Sequence, residues 1–150
     1  MSKIREFMAG DHRRCDDIFA EVEVLVAEQD WVKAIAGFDV FQHAVLQHFS
    51  VEESLLFPAF EEQTGMRMGP TQVMRGEHAQ MRELLEAARI ALVAKDADDY
   101  SGNAETLLIM MQQHNMKEEN VLYPMCDQHL SGQIDALLPK LETQIQATAE

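Results

Sequence analysis

The sequence predicts an all-α protein: an up-down-up-down four-helix bundle with an internal pseudo-twofold duplication and a short C-terminal helical tail. Three observations carry that expectation. Apolar residues recur in steps of three and four along four long stretches, the spacing that lines one face of a helix. Glycine and proline are sparse, seven and four in 150 residues, and no stretch shows the period-2 alternation of a half-buried strand. The two halves of the chain also align on one another, without a gap, after a shift of 66 residues.

Each element has its own signals. Ser2 is placed to cap a first helix running to about Glu28, with a core stripe of Ile4, Met8, His12, Cys15, Phe19, Val22 and Val26. Asp30 is placed to cap a second, from Trp31 to about Gln63, with Phe41, Val45, His48, Glu52, Leu55 and Ala59 inward. The cluster from Thr64 to Pro70 is the mid-chain break, and Pro70 suits the first turn of a third helix lasting to about Lys95. Its stripe is Met74, His78, Met81, Leu85, Ala88 and Leu92. Asp96 to Gly102, acidic and breaker-containing, reads as a loop before a fourth helix, about Asn103 to Gln128. That helix turns Leu107, Met111, His114, Glu118, Val121 and Met125 to the core. Ser131 and Gly132 start the helical tail, interrupted or restarted at Pro139. Short connections between four long helices give the up-down-up-down order.

Composition excludes whole classes of function. Twelve Lys and Arg against 26 Asp and Glu leave a formal charge of −14. A chain so acidic is unsuited to neutralising nucleic-acid phosphates or to anionic lipid headgroups. With 47% hydrophobic residues it is nevertheless a folded globule. Its apolar stretches fall short of the roughly 18–20 residues of a membrane span, and the N-terminal MSKIREFMAGDHRR has no apolar signal-peptide region or small-residue cleavage site. Cys15 and Cys126 are too few for a disulfide scaffold. The expectation is a single domain over residues 1–150, cytoplasmic, binding neither nucleic acid nor membrane, with a homodimer compatible with the chain.

The duplication shows where the chemistry lies. Met8, Gly10, His12, Asp30, Gln47, His48, Glu52, Glu53, Leu56 and Pro58 meet identical residues 66 positions on, at Met74, Gly76, His78, Asp96, Gln113, His114, Glu118, Glu119, Leu122 and Pro124. The identities gather at inward polar positions. Each half, about residues 8–60 and 74–128, offers one histidine from its first helix and a His-x-x-x-Glu from its second. Residues four apart share a helix face one turn apart, so His48 with Glu52, and His114 with Glu118, reach a common point. Burying such carboxylates without partners is costly, and a transition-metal cation with imidazole and carboxylate ligands removes the cost. The set contains no thiolate, which suits iron or manganese and admits zinc. With both glutamates bridging two metals and a bridging oxygen, an octahedral iron keeps one position free for a diatomic. The plainer alternative is a set of buried His–Glu ion pairs, which often fail to repay their desolvation.

The motifs Asp11-His12, His48 through Glu52-Glu53 to Phe57-Pro58, Glu77-His78, and His114 through Glu118-Glu119 to Tyr123-Pro124 resemble the HHE cation-binding branch of the hemerythrin-like family, over about residues 8 to 128. The resemblance implies a four-helix bundle holding two iron ions, with manganese or zinc as substitutes, bridged by two carboxylates and an oxo or hydroxo group. By match, His12 and His48 hold one metal, His78 and His114 the other, and Glu52 and Glu118 bridge. Oxygen-carrying members have a fifth histidine on the third helix, where this chain has Met74 and Arg82 four residues either side of His78, and an aspartate five residues after the last histidine, where this chain's final carboxylate is Glu118, four residues after His114. The site is therefore expected to be more symmetric and more open.

The remaining candidates divide by position. Glu53 and Glu119 lie about 100° round the helix from the motif glutamates and read as solvated or interhelical charges. Asp11 and Glu77 read as surface or capping groups, because neighbours on a helix point apart; a bond to an imidazole is the alternative. Tyr123 has Phe57 as its counterpart and reads as packing. His43 and His129 lack counterparts and read as bystanders; Cys15 reads as an inert buried thiol, the methionines as adaptable core filler. Pro58 and Pro124 kink or end the ligand helices at matching places. Two functions follow. One is a non-haem di-iron module binding dioxygen or nitric oxide for sensing, storage or stress response; the other is a di-iron oxidoreductase or iron–sulfur centre repair protein.

Overall fold

The computed structural model describes residues 2–147, all helices and short turns, with no strand among them. Five helical rods account for them: α1 (Lys3–Ala27); α2 (Trp31–Val51) continuing through a π-helical turn at Glu52–Leu56 into α3 (Phe57–Thr64); α4 (Pro70–Val93); α5 (Ala97–Lys117) continuing through a second π turn at Glu118–Leu122 into α6 (Tyr123–His129); and α7 (Ile134–Ala147). The closest packing is of α1 on α2 and of α4 on α5; α2 against α4, and α1 against α5 and α6, join the two pairs. No helix among the described residues is long and apolar enough to cross a membrane.

Several backbone features recur 66 residues apart. α1 ends through Gln29 in the left-handed region, φ 60°, and α4 through Lys95, φ 58°. In each case the next amide reaches back five residues round the turn, Asp30 N–H to the Leu25 carbonyl and Asp96 N–H to that of Ala91, the bond that closes a helix end on an αL residue. Asp30 then accepts from the Lys33 amide, and Asp96 from that of Asp99, capping α2 and α5. This corrects the expected loop at Asp96–Gly102. Asp96 starts the helix at Ala97, Asp98 and Asp99 sit in the first turn where the helix dipole favours them, and Gly102 is simply carried inside. Ser2 precedes α1 but makes no side-chain cap. The Asp127 carboxylate of α6 does so instead, accepting from Ile4 N–H at 2.9 Å and Arg5 N–H at 3.1 Å.

The two prolines neither end nor break their rods. Each is preceded by a widened turn, in which Phe57 N–H bonds to the Glu52 carbonyl and Tyr123 N–H to that of Glu118, five residues back. A proline ring collides with the carbonyl four residues earlier, and a π turn lets the helix continue. The extra residue shifts the buried face. Leu56 and Phe57, and Leu122 and Tyr123, are buried, whereas Val121 is exposed and Leu55 only partly covered. The inward places expected for Leu55 and Val121 are thereby corrected.

The C-terminal segment is a fifth rod of fourteen residues, not a short tail, and it passes through Pro139 without a break. Leu137, Leu141 and Ile145 hold it by burial against α1, α2 and the first π turn. Gly65, at φ 74°, ends α3 in the left-handed conformation that glycine adopts at least cost. Two apolar clusters fill the interior. One contains Cys15, Phe19, Phe38, Phe41, Val45, Leu85 and Tyr100; the other contains Met8, Leu56, Phe60, Met74, Leu122, Cys126 and Leu141. His12, His48, His78 and His114 occupy the stretch of each long helix between them.

Candidate metal centre

All six residues singled out as inward polar groups are buried: His12, His48, Glu52, His78, His114 and Glu118. What keeps four imidazoles in place is a second set of carboxylates. His12 Nδ1–H donates to Glu119 Oε2 at 2.8 Å, His48 to Asp11 Oδ2 at 2.7 Å, His78 to Glu53 Oε2 at 2.8 Å and His114 to Glu77 Oε1 at 2.8 Å. An ionised carboxylate only accepts, so each bond fixes the proton on Nδ1 and turns Nε2 inward. The carboxylate always comes from a neighbouring rod. Asp11 on α1 serves α2, Glu53 beyond α2 serves α4, Glu77 on α4 serves α5, and Glu119 beyond α5 serves α1. Every long rod thus gives one histidine and receives one carboxylate, and the ring closes. Three carboxylates carry a cation in turn: Arg14 on Asp11, Arg82 on Glu53 and Lys117 on Glu77.

Inside the ring the Nε2 atoms meet the two remaining glutamates. Glu52 Oε1 lies 3.1 Å from His78 Nε2 and 3.6 Å from His48 Nε2; Glu118 Oε1 lies 3.1 Å from His12 Nε2 and 3.2 Å from that of His114. Tyr123 brings a hydroxyl to the same place. It donates to Glu52 Oε2 at 2.7 Å, with Glu118 Oε1 at 3.0 Å, and its oxygen lies 3.2 Å from Nε2 of both His12 and His48. Four buried atoms have no hydrogen-bond partner among the described residues: Glu52 Oε1, His78 Nε2, His114 Nε2 and Glu118 Oε2. Such orphans are rare in native interiors and call for a specific cause.

A cation answers that need. Glu52, His78, His114 and Glu118 each offer one ligand atom, all within 4.8 Å of one another, and His12, His48 and Glu118 do the same. Nitrogen and oxygen donors without a thiolate are the chemistry of first-row transition metals. Burial opposes charge on His48, Glu52 and His114, and their partners outweigh it. Burial pushes His48 down, but Glu52 and Asp11 raise it well above the ordinary histidine range. Burial pushes Glu52 up, but His48, Glu118 and His78 hold it well below the usual carboxylate range. His114 is raised in the same sense by Glu118, Glu52 and Glu77 against its burial. The Tyr123 phenol is driven well above its usual value by burial and by the Glu118 and Glu52 charges.

Three readings of the sequence are corrected here: those of Asp11 and Glu77, of Glu53 and Glu119, and of Tyr123. Asp11 and Glu77 are not surface groups, nor are Glu53 and Glu119 merely solvated; all four hold imidazoles. Neighbours on one helix do point apart, so Asp11 never meets His12, but it meets the histidine of the next helix. Tyr123 is not packing alone, and the surroundings of the four histidines are not symmetric. The Phe49 ring stacks on His78 at 4.0 Å and that of Phe57 at 5.8 Å, whereas the matching positions near His12 and His48 are Asn115 and Tyr123. His43 and His129 stand exposed, away from the cluster. Cys15 and Cys126 are free buried thiols, and burial pushes that of Cys15 up to about 11.

By fold and site, this is a helical protein whose buried His/Glu cluster could hold a metal. The family model of the hemerythrin HHE cation-binding domain matches residues 3–126, and the chain belongs to that family. No curated protein and no solved structure matches it.

Proposed function

We propose that the chain is a single-domain four-helix bundle, built from two related hairpins at about residues 8–60 and 74–128, that holds two iron ions. His12 and His48 are assigned to one, His78 and His114 to the other, and Glu52 and Glu118 to both. The function is to bind dioxygen or nitric oxide for sensing, storage or stress response. The observation that carries this reading is the convergence of four buried, unpartnered ligand atoms inside a closed ring of imidazole–carboxylate bonds.

Bound iron would supply a redox-active centre with room for a small ligand; the rest is the work of side chains. The outer carboxylates fix each imidazole and raise its basicity. The two apolar clusters keep water from the layer. A cavity of about 10 Å³ beside His12 and His48, lined also by Cys15, Val45, Phe49, Met111 and Asn115, is about the smallest that takes one water, and it leaves no room for a large ligand. The second reading, a di-iron oxidoreductase, is favoured by Tyr123, a buried O–H donor already aimed at both glutamates.

The test is metal content per chain after expression with iron, read alongside near-ultraviolet absorption. Two irons with oxo-to-iron charge-transfer bands are expected, and Glu52→Ala and Glu118→Ala should lose metal occupancy and fold stability together. Full metal retention in both variants overturns the bridging assignment. Sustained turnover with an electron donor selects the oxidoreductase.

A further inference from the structure

We propose that the two metal positions fill in a fixed order, His78 and His114 first, and that the Tyr123 hydroxyl holds back the position of His12 and His48. The inference deepens the two-metal reading above and rests on it. Its starting point is that all four unpartnered atoms, Glu52 Oε1, His78 Nε2, His114 Nε2 and Glu118 Oε2, belong to the four-ligand group at one position. His78 Nε2 faces Glu52 Oε1 at 3.1 Å and His114 Nε2 faces Glu118 Oε1 at 3.2 Å, contacts between ligands that a cation would replace, and no further side-chain group has to be displaced there.

The other position has the same kind of contact and a further group besides, the Tyr123 hydroxyl. Nε2 of His12 lies 3.1 Å from Glu118 Oε1, and the Tyr123 oxygen stands 3.2 Å from Nε2 of His12 and of His48 alike. A cation shared by those two nitrogens meets the hydroxyl, which must swing aside and give up its 2.7 Å bond to Glu52 Oε2. The other half of the chain has no such group, because Phe57 occupies the position matching Tyr123.

Packing points the same way. Phe49 and Phe57 stack on the His78 ring at interplanar angles of 13° and 19°, and Met81 fills the neighbouring core position. At the matching places on the other side stand Asn115, Tyr123 and Cys15, and there the small cavity opens beside His12 and His48. His78 is stacked by two apolar rings and His114 has Phe49 edge-on at 6.2 Å; His12 is stacked by the Tyr123 ring at 5.7 Å, and with His48 it borders a void and a polar hydroxyl. Preorganised ligands bind more tightly because less has to be ordered on binding.

The experiment is an anaerobic titration of the metal-free, full-length protein with Fe(II) or Co(II), followed by calorimetry and native mass spectrometry. A one-metal species should accumulate before the two-metal species, with stepwise affinities separated by about tenfold or more. Tyr123→Phe should tighten the second step by about tenfold and leave the first unchanged, so the one-metal species becomes scarce. His48→Gln should still take one metal tightly, whereas His114→Gln should lose the tight step; this pair decides the matter if Tyr123→Phe fails to fold. Two metals entering without a one-metal species overturns the order. A weaker second step in Tyr123→Phe overturns the blocking role and makes the phenol oxygen a ligand. Binding of no metal by the parent protein would instead remove the two-metal reading itself.

Discussion

A carboxylate behind an imidazole does two things at once, and the four pairs here let them be separated. Replacing Glu77 by Gln keeps the shape and an acceptor oxygen for His114 Nδ1–H while removing the charge that Lys117 also uses. Metal affinity at the His78/His114 position should fall by about 10–100-fold with the fold intact, measured by competition against a chelator alongside circular dichroism. Unchanged affinity would mean that the carboxylate serves only to tie α4 to α5. These residues were visible in the sequence as pairs, Asp11 with Glu77 and Glu53 with Glu119, each 66 apart. Their role was not legible, because it depends on which histidine lies across the helix interface. Tyr123 was hidden for a related reason: its partner Phe57 is apolar, and only the structure shows a hydroxyl reaching four site groups.

At the scale of elements, most of the helix pattern was legible from apolar spacing, and the misreadings cluster where local chemistry overrides it. Asp96 and its acidic neighbours look like a loop until they are seen as an N-cap and a first turn, the same arrangement as Asp30 66 residues earlier. Asp96→Ala should cost about 1 kcal/mol in chemical denaturation, and Ser2→Ala close to nothing, since Ser2 makes no cap bond. Equal losses from the two substitutions would contradict the assigned caps. The π turns escaped a strict 3.6-residue period because a widened turn inserts one residue without leaving a mark in composition. Only the two prolines, Pro58 and Pro124, signalled that something happens there. Without that insertion neither Phe57 nor Tyr123 would be presented as it is to the histidine layer.

For the molecule as a whole, metal, protons and stability are linked. In the metal-free protein His48 and His114 are raised above the ordinary histidine range, near 6.5, by the glutamates that face them. Their contribution to stability is fully present below that range and is lost as pH climbs through the raised native values. A metal needs both imidazoles neutral, so loading should release protons and strengthen as pH rises. Thermal midpoints should then diverge: the metal-free protein weakens from neutral pH upward while the loaded protein does not. Free metal at 100 times its dissociation constant should add about 2.7 kcal/mol. Parallel pH profiles for the two forms would show that the histidines and glutamates pair with one another whether or not metal is supplied.

The closed ring of imidazole–carboxylate bonds also governs how such a chain can change over generations. Each of its eight members acts on the adjacent rod, so a substitution at Glu53 is felt at His78, and one at Glu119 at His12, more than a hundred residues away. Neither half can drift freely at those positions without disarming the other. The surrounding positions make no such reciprocal bonds, and there the halves differ: phenol against phenyl at Tyr123 and Phe57, thiol against thioether at Cys15 and Met81, amide against ring at Asn115 and Phe49. Two halves joined in this way hold like histidines and carboxylates by reciprocity while presenting two unlike neighbourhoods to them.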